Sequence, residues 1–118
     1  MTPEHFVSQV RSAVVHQNTT IDKNLFESTA PEGASDPYWK RALTLHLSLS
    51  KAERAVLFEI MRQVRVDTVS ELFGILDGSS ALEGPREDFV LTAQSNNQKL
   101  NGNLQDLFLE AEERERLS

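Results

Sequence analysis

The apolar residues of the central stretch, residues 50–78, recur at the spacing of an α-helix. One face of that helix collects Val56, Leu57, Ile60, Met61 and Val64. Ser50 and Glu53 have the S-x-x-E spacing of a capping box, which starts a helix. Gly78 stands where a left-handed residue ends one. The pattern predicts a long helical segment with its Val56–Val64 face in the core.

A weak point is predicted within this segment. Val64 and Val66 are β-branched, and Thr68 and Glu71 repeat the capping-box spacing directly after Asp67. We therefore expect a kink or a short break near Asp67. Beyond it a second apolar face is formed by Val69, Leu72, Phe73 and Leu76.

The N-terminal third shows weaker helical patterns. A first helix is predicted from the apolar face of Phe6, Val7, Val10, Ala13 and Val14, ending near residues 17–18. Ile21, Leu25 and Phe26 then indicate a separate short helix within residues 20–30.

Residues 36–49 allow two interpretations. Asp36 followed by Pro37 is a typical helix start, and Leu favours helix over strand. Leucines at every second position from Leu43 to Leu49 also fit a strand. We predict a helix over residues 37–47, with His46 beside Trp39 on its apolar face as a hydrogen-bonded core histidine.

The C-terminal third predicts a loop, a hairpin and a helix. Residues 79–88 lack periodicity, residues 89–93 have strand composition, and residues 95–97 can turn the chain into a second strand. A last helix follows, with Asn103 as its N-cap. The expected fold is a single domain, residues 1–118, mainly α, a bundle of four or five helices with a small β-hairpin before the last helix.

The composition restricts the chemistry available to the chain. It has no cysteine, so thiol catalysis, disulfides and cysteine-based metal sites are excluded. The five glycines do not have the spacing of a phosphate-binding loop, and the three histidines form no metal motif. We therefore expect a protein that is not an enzyme and holds neither metal nor cofactor.

No apolar run approaches the roughly 20 residues needed to span a membrane, and the N-terminus lacks the pattern of a signal peptide. These features predict a cytoplasmic protein without membrane association. The net charge is −6, with the acidic residues concentrated after residue 65. Because phosphate neutralisation supplies most nucleic-acid affinity, this charge favours a protein partner instead.

Phe58 is the most informative exception to the pattern of the central helix. It lies off the apolar face, among Arg54, Arg62 and Arg65. An aromatic ring among arginines is typical of interface hot spots, so we predict that these four residues bind a partner. The alternative is that another helix covers Phe58 and buries the central helix on two sides. A second candidate surface is acidic and consists of Glu83, Glu87, Asp88, Asp106, Glu110 and Glu113.

The sequence therefore predicts a non-enzymatic protein–protein interaction module. It could be a small acidic inhibitor, an immunity-like protein, an adaptor or a homodimer. One alternative is a small enzyme or ligand-binding protein with a pocket at Trp39, His46 and the loop of residues 79–88. Another is a nucleic-acid-associated regulator that uses a basic segment, Lys40, Arg41, Lys51, Arg54, Arg62 and Arg65.

Overall fold

The computed structural model describes residues 1–118 and shows a mainly α chain with one small antiparallel hairpin before the last helix. The elements in chain order are α1 (Pro3–Val10), a π-helical segment (Arg11–Gln17), α2 (Asn18–Ser28), a short 3₁₀ turn (Pro31–Gly33), α3 (Pro37–Ser48), α4 (Lys51–Asp77), β1 (Thr92–Ala93), β2 (Gln98–Lys99) and α5 (Leu104–Leu117). The expected fold class is confirmed.

The N-terminal helix continues further than its sequence predicts. Thr2 caps α1, because its side chain accepts a hydrogen bond from the backbone N–H of His5. The chain then remains helical to Ser28, so the expected end near residues 17–18 is wrong. No glycine or proline interrupts this stretch, and the hydroxyls of Thr19 and Thr20 bond to carbonyls one turn back without breaking the helix.

Residues 37–48 form the helix α3, which confirms helix over strand. Asp36 is its N-cap, with its carboxylate accepting the N–H of Tyr38 at 2.9 Å. The alternation of leucines did not produce a strand because the Asp-Pro start fixes a helical first turn. Two of the alternating leucines, Leu45 and Leu47, consequently point away from the interior on different sides of α3.

The helix α4 begins and ends as predicted but has no break. Both hydrogen bonds of the capping box at Ser50 and Glu53 are present, and Gly78 adopts φ = 86° at the end. The expected break near Asp67 is wrong, because α4 is continuous from Lys51 to Asp77. The Thr68 hydroxyl donates to the carbonyl of Val64 at 2.7 Å, so this threonine serves the helix that precedes it and caps no new one.

The hairpin and α5 are joined to the end of α4 by two polar side chains. Thr92 pairs with Lys99 and Ala93 with Gln98 across the hairpin. Asn101 donates to the carbonyls of Leu76 and Phe89.

The first turn of α5 is capped from α4. The Asp77 carboxylate accepts the N–H groups of Gly102, at 2.6 Å, and Gln105, at 2.8 Å. Asn103 occupies the expected N-cap position, but its side chain makes no capping hydrogen bond. The residue that satisfies the backbone donors at the start of α5 is instead Asp77.

Two groups of apolar side chains form the interior. The larger joins α1, the π-helical segment, α4 and α5 through Val7, Val15, Val66, Val69, Phe73, Leu104 and Phe108. The smaller is a ring cluster between α2, α3 and α4, defined by Phe26, Trp39, His46 and Phe58.

The interior face of α4 is not the face that its apolar spacing predicts. Phe58, Val66, Val69 and Phe73 are buried, whereas Val56, Ile60 and Val64 are exposed. The expectation of a core face at residues 56–64 is wrong. Arginines can lie on the inward face because each finds a hydrogen-bonding or ion-pair partner within the chain.

Candidate functional site

Phe58, the centre of the predicted partner-binding group, lies inside the protomer. It is 8% exposed. Its ring meets Phe26 edge to face with centroids 5.8 Å apart, and it lies 5.7 Å from the ring of His46. Of the two alternatives for Phe58, the structure shows a residue covered by neighbouring helices.

Arg54 binds the end of α3. Its guanidinium donates to the carbonyls of His46, at 2.8 Å, and Leu47, at 2.9 Å. These carbonyls belong to the last turn of α3, where the carbonyl of His46 also accepts the backbone N–H of Leu49, at 3.2 Å. A cation there also opposes the helix dipole, so Arg54 stabilises the α3–α4 turn.

Arg62 and Arg65 bind other helices of the same chain. Arg62 forms two hydrogen bonds with the buried carboxylate of Glu112 in α5, and Arg11 donates two more to the same carboxylate. Arg65 forms an ion pair with Asp22 in α2. The predicted partner-binding role of Phe58 and the three arginines stays a prediction, because their observed contacts are within the protomer.

The Glu112 carboxylate has a lowered pKa. Burial alone would raise this pKa, but hydrogen bonds from Arg62 and Arg11 and their positive charges outweigh the burial. Glu112 is therefore ionised in the folded chain at neutral pH. Together with Arg11 and Arg62 it forms a three-helix ion-pair cluster rather than an acid–base pair aimed at a cleft.

His46 lies in the ring cluster, 2% exposed, and neither ring nitrogen has a hydrogen-bond partner within the chain. The expected hydrogen bond is therefore absent, although the expected burial is confirmed. Trp39 approaches this cluster through Phe26, with ring centroids 5.0 Å apart. Burial lowers the pKa of His46, the charge of Arg54 lowers it further, and Glu27 acts in the opposite direction.

A shallow cleft beside His46 is lined mainly by charged side chains, Lys23, Glu27, Lys51 and Arg54. The loop of residues 79–88 lines a different pocket, together with Ile75 and Phe89. The structure therefore does not bring Trp39, His46 and this loop together into one site.

The residues of the predicted basic segment, and those of the acidic candidate surface, do not each form one continuous surface. Of the basic segment, Arg54, Arg62 and Arg65 make contacts within the chain, and Lys40 and Arg41 are exposed on α3. Asp106, Glu110 and Glu113 share an exposed face of α5, while Glu83, Glu87 and Asp88 lie in the loop. No cluster of three potential ligands could hold a metal ion, and no helix has the length and hydropathy to cross a membrane.

The most unusual surface of the molecule is an apolar face that the sequence pattern assigned to the core. We call it the α3–α4 face and define it by Leu45, Leu49, Val56, Leu57, Ile60 and Val64. Val56, Ile60 and Val64 occupy successive turns of α4 and are 51%, 55% and 57% exposed. Leu49, Ala52, Val56, Leu57 and Ile60 line a shallow, almost wholly apolar groove. Leu45 is exposed on α3, four residues before Leu49, which follows the end of that helix with extended backbone.

Acidic residues surround the α4 part of this face. Glu53, Glu59 and Asp67 are exposed and form no ion pair within the chain, although the first and last accept local hydrogen bonds. All three arginines of α4 point the other way. The sequence shows that α4 carries apolar residues on both sides. The pattern alone does not say which of the two sides the other helices cover.

Comparison of the chain with protein-family models, with curated proteins and with solved structures finds no match. The functional interpretation therefore rests on the geometry and chemistry of the surfaces described above.

Proposed function

We propose that this chain is a non-enzymatic protein–protein interaction module and that it binds its partner through the α3–α4 face. The observation that carries the proposal is the exposure of Val56, Ile60 and Val64 on successive turns of one helix. Isolated exposed apolar residues are normal on a protein surface, but a continuous apolar face bordered by charges is typical of a binding site.

The energetics support a protein partner. Burial of apolar surface contributes about 25 cal/mol per Å², so covering several half-exposed aliphatic side chains contributes a few kcal/mol. A rigid helix presents them at no further ordering cost, because the ring cluster and the bonds of Arg54 already fix α3 against α4. The groove is shallow and apolar, which fits the side chains of another helix better than a polar small molecule.

The charges define the kind of partner surface that fits. Glu53, Glu59 and Asp67 border the apolar stripe, and a complementary surface therefore has basic groups around an apolar centre. An acidic inhibitor, an immunity-like protein, an adaptor or a self-associating protein would each use such a face in this way.

The proposal can be tested by cysteine labelling, because the chain has no native cysteine. Ile60→Cys and Leu47→Cys place a thiol at positions of similar exposure, 55% and 53%. Leu47 lies on the other side of α3 from Leu45 and serves as the control. Each variant is produced at its native level in its source cells, and maleimide labelling is measured after gentle lysis.

The labelling rate of each thiol in urea, where the chain is unfolded, serves as its reference, and each rate in the lysate is divided by it. If a protein covers the face, we expect this relative rate to be at least about tenfold lower for the Ile60→Cys thiol than for the Leu47→Cys thiol. Equal rates would show that the α3–α4 face is bare in the cell and would contradict the proposed function.

A further inference from the structure

We propose that the partner segment at the α3–α4 face is a basic amphipathic helix of another protein, which lies along α4 with lysines or arginines at both ends of its apolar side. This inference rests on the proposed function and specifies its partner. Three observations carry it: a straight apolar stripe on α4, acidic residues at both ends of that stripe, and the position of every basic residue of α4 away from it.

The apolar stripe of α4, defined by Val56, Ile60 and Val64, has the form of a contact between two helices. The three residues stand about one turn apart on a helix that is continuous from Lys51 to Asp77, and each is more than half exposed. Side chains spaced in this way form a ridge that the groove of a second helix accommodates. The partner therefore contributes its own apolar residues at spacings of three and four.

A helix suits this stripe better than a strand because a helix hydrogen-bonds its own backbone. A strand or an irregular segment along the stripe would place unpaired N–H and C=O groups against apolar side chains, which costs free energy. The shallow apolar groove between Leu49 and Ile60 lies at one end of the stripe. It provides a place for a larger apolar side chain of the partner helix.

Acidic residues stand at both ends of the stripe. Glu53 and Asp67 lie about two turns to either side of Ile60, and Glu71 follows about one turn after Asp67. Glu59 borders the stripe along one side. All four carboxylates are exposed, and none has a cationic partner within the chain. Glu53 and Glu71 are about 27 Å apart along the helix, so a partner helix of about five turns reaches both acidic ends.

The basic residues of α4 all lie away from the stripe. Arg62 and Arg65 form ion pairs with carboxylates of α5 and α2. Lys51 and Arg54 line the cleft beside His46. The surface of α4 around the stripe therefore carries only negative charge, and it attracts a partner whose cations flank its apolar side.

The same charges disfavour other occupants. A twofold axis at Ile60 would set Glu53 of one copy against Asp67 of the other, so a second copy meets like charges. Nucleic acids and anionic membrane surfaces are negative as well, and the acidic border repels both. The exposed cation Arg41 lies beside Leu45 on α3, which confines a basic partner to the α4 part of the face.

The first test asks whether the acidic border attracts the partner, and it uses the cysteine labelling described above. Glu59→Lys and Glu71→Lys are combined with Ile60→Cys, because both carboxylates are exposed and make no hydrogen bond or ion pair within the chain. Glu87→Lys with Glu113→Lys is the matched control. It changes the net charge by the same amount, but in the loop and on α5.

We expect reversal of the border to raise the relative labelling rate of Ile60→Cys at least about fivefold, and the control reversal to leave it within about twofold. If Ile60→Cys is protected and stays protected after reversal of the border, the proposed function stands and the inference is overturned. If Ile60→Cys with the native border labels as fast as Leu47→Cys, the proposed function fails and the inference fails with it.

The second test asks whether a helix is recognised, and it uses the purified full chain. The probe is a synthetic peptide of about 18 residues with leucines once per turn and lysines at both ends. Its binding is measured by fluorescence anisotropy. One control peptide carries glutamates in place of the lysines, and another carries a central proline that breaks the helix.

We expect the basic helical peptide to bind at least about tenfold more tightly than either control peptide. Ile60→Glu in the chain should weaken its binding at least about tenfold, because a carboxylate would be buried in the contact, and Leu47→Glu should not. Equal binding of the basic peptide and either control peptide, or no binding of any peptide, would overturn the inference. A chain that light scattering shows to be a dimer, and that Ile60→Glu makes monomeric, would identify a second copy as the occupant and overturn it as well.

Discussion

Arg62 and Glu112 face each other with two hydrogen bonds of 3.1 and 3.2 Å, which join the middle of α4 to the last turns of α5. Glu112 is 3% exposed, and its carboxylate also accepts a hydrogen bond from Arg11 in the π-helical segment. A residue that the sequence suggested for a partner therefore holds three parts of its own chain together.

Glu112→Gln should destabilise the fold because it removes the buried charge that two guanidinium groups share and leaves them only the more exposed carboxylate of Glu115. Breaking a fully buried pair costs about 3–5 kcal/mol, and partial exposure of Arg62 and Arg11 reduces this to about 2 kcal/mol. Urea unfolding at neutral pH measures the change. The exposed neighbour Glu113 provides the control, since Glu113→Gln should stay within about 0.5 kcal/mol of wild type. Equal stability of both variants would contradict a structural role for the pair.

The same carboxylate should make the fold sensitive to acid. Because the folded-state pKa of Glu112 is lowered from 4.5, its stabilisation is complete above that value and is lost as the pH falls through the folded-state pKa. Unfolding free energies measured below about pH 4.5 should therefore decrease less steeply for Glu112→Gln than for wild type. Parallel curves for the two proteins would show that other carboxylates carry the acid sensitivity.

Asp77 and Asn103 offer a direct comparison of two capping assignments. Asp77→Ala should cost about 1–2 kcal/mol, because it removes the acceptor for the N–H groups of Gly102 and Gln105. Asn103→Ala should change stability by less than about 0.5 kcal/mol, because its side chain caps nothing. Thermal unfolding compares the two, and hydrogen exchange at Gln105 locates the effect. The reverse order of costs would show that the side chain of Asn103, and not that of Asp77, stabilises the first turn of α5.

His46 should also make the stability of the fold depend on pH, here through a base that the fold keeps neutral and not through an acid that it keeps ionised. Its pKa in the fold is lowered from 6.5, so the unfolded chain binds more protons between the lowered value and 6.5. Stability is complete above that window and falls as the pH falls through it. The charged groups around His46 are Lys23 and Glu27 of α2 and Lys51 and Arg54 of α4.

His46→Phe should remove this dependence and replace an unpaired polar ring by an apolar one. We expect its stability at about pH 7.5 to equal or exceed that of wild type by about 1 kcal/mol, and the difference to grow at about pH 5.5. Urea unfolding at both pH values measures it. A difference that stays constant with pH would show that folding does not lower the pKa of His46.

Phe58→Ala tests whether this ring acts within the protomer. Removing a buried phenylalanine costs about 3–5 kcal/mol, and the loss of Phe26 and His46 contacts should loosen α3. Near-UV circular dichroism, which reports on the packing of Trp39, should change together with the unfolding free energy. A variant that keeps full stability but loses its partner would instead support the predicted hot-spot role of Phe58.

The sequence by itself determined most of the local structure. The capping box at Ser50 and Glu53, the Asp36 cap and the left-handed Gly78 are short-range features, in which a side chain or a glycine acts within one helical turn. The hairpin near residues 92–99 and the helical state of residues 37–48 follow from the same local rules.

Only the tertiary structure decided which side of α4 is covered and what its arginines bind. Periodicity shows that Val56, Ile60 and Val64 share a face, but the covered face depends on where α2 and α5 pack. Glu112 and Asp22 are distant in sequence, and their ion pairs turn the arginine face inward. The apolar face of α4 was thereby left on the surface. The local pattern shows which residues share a face of one helix, but whether that face is buried depends on how the whole chain packs.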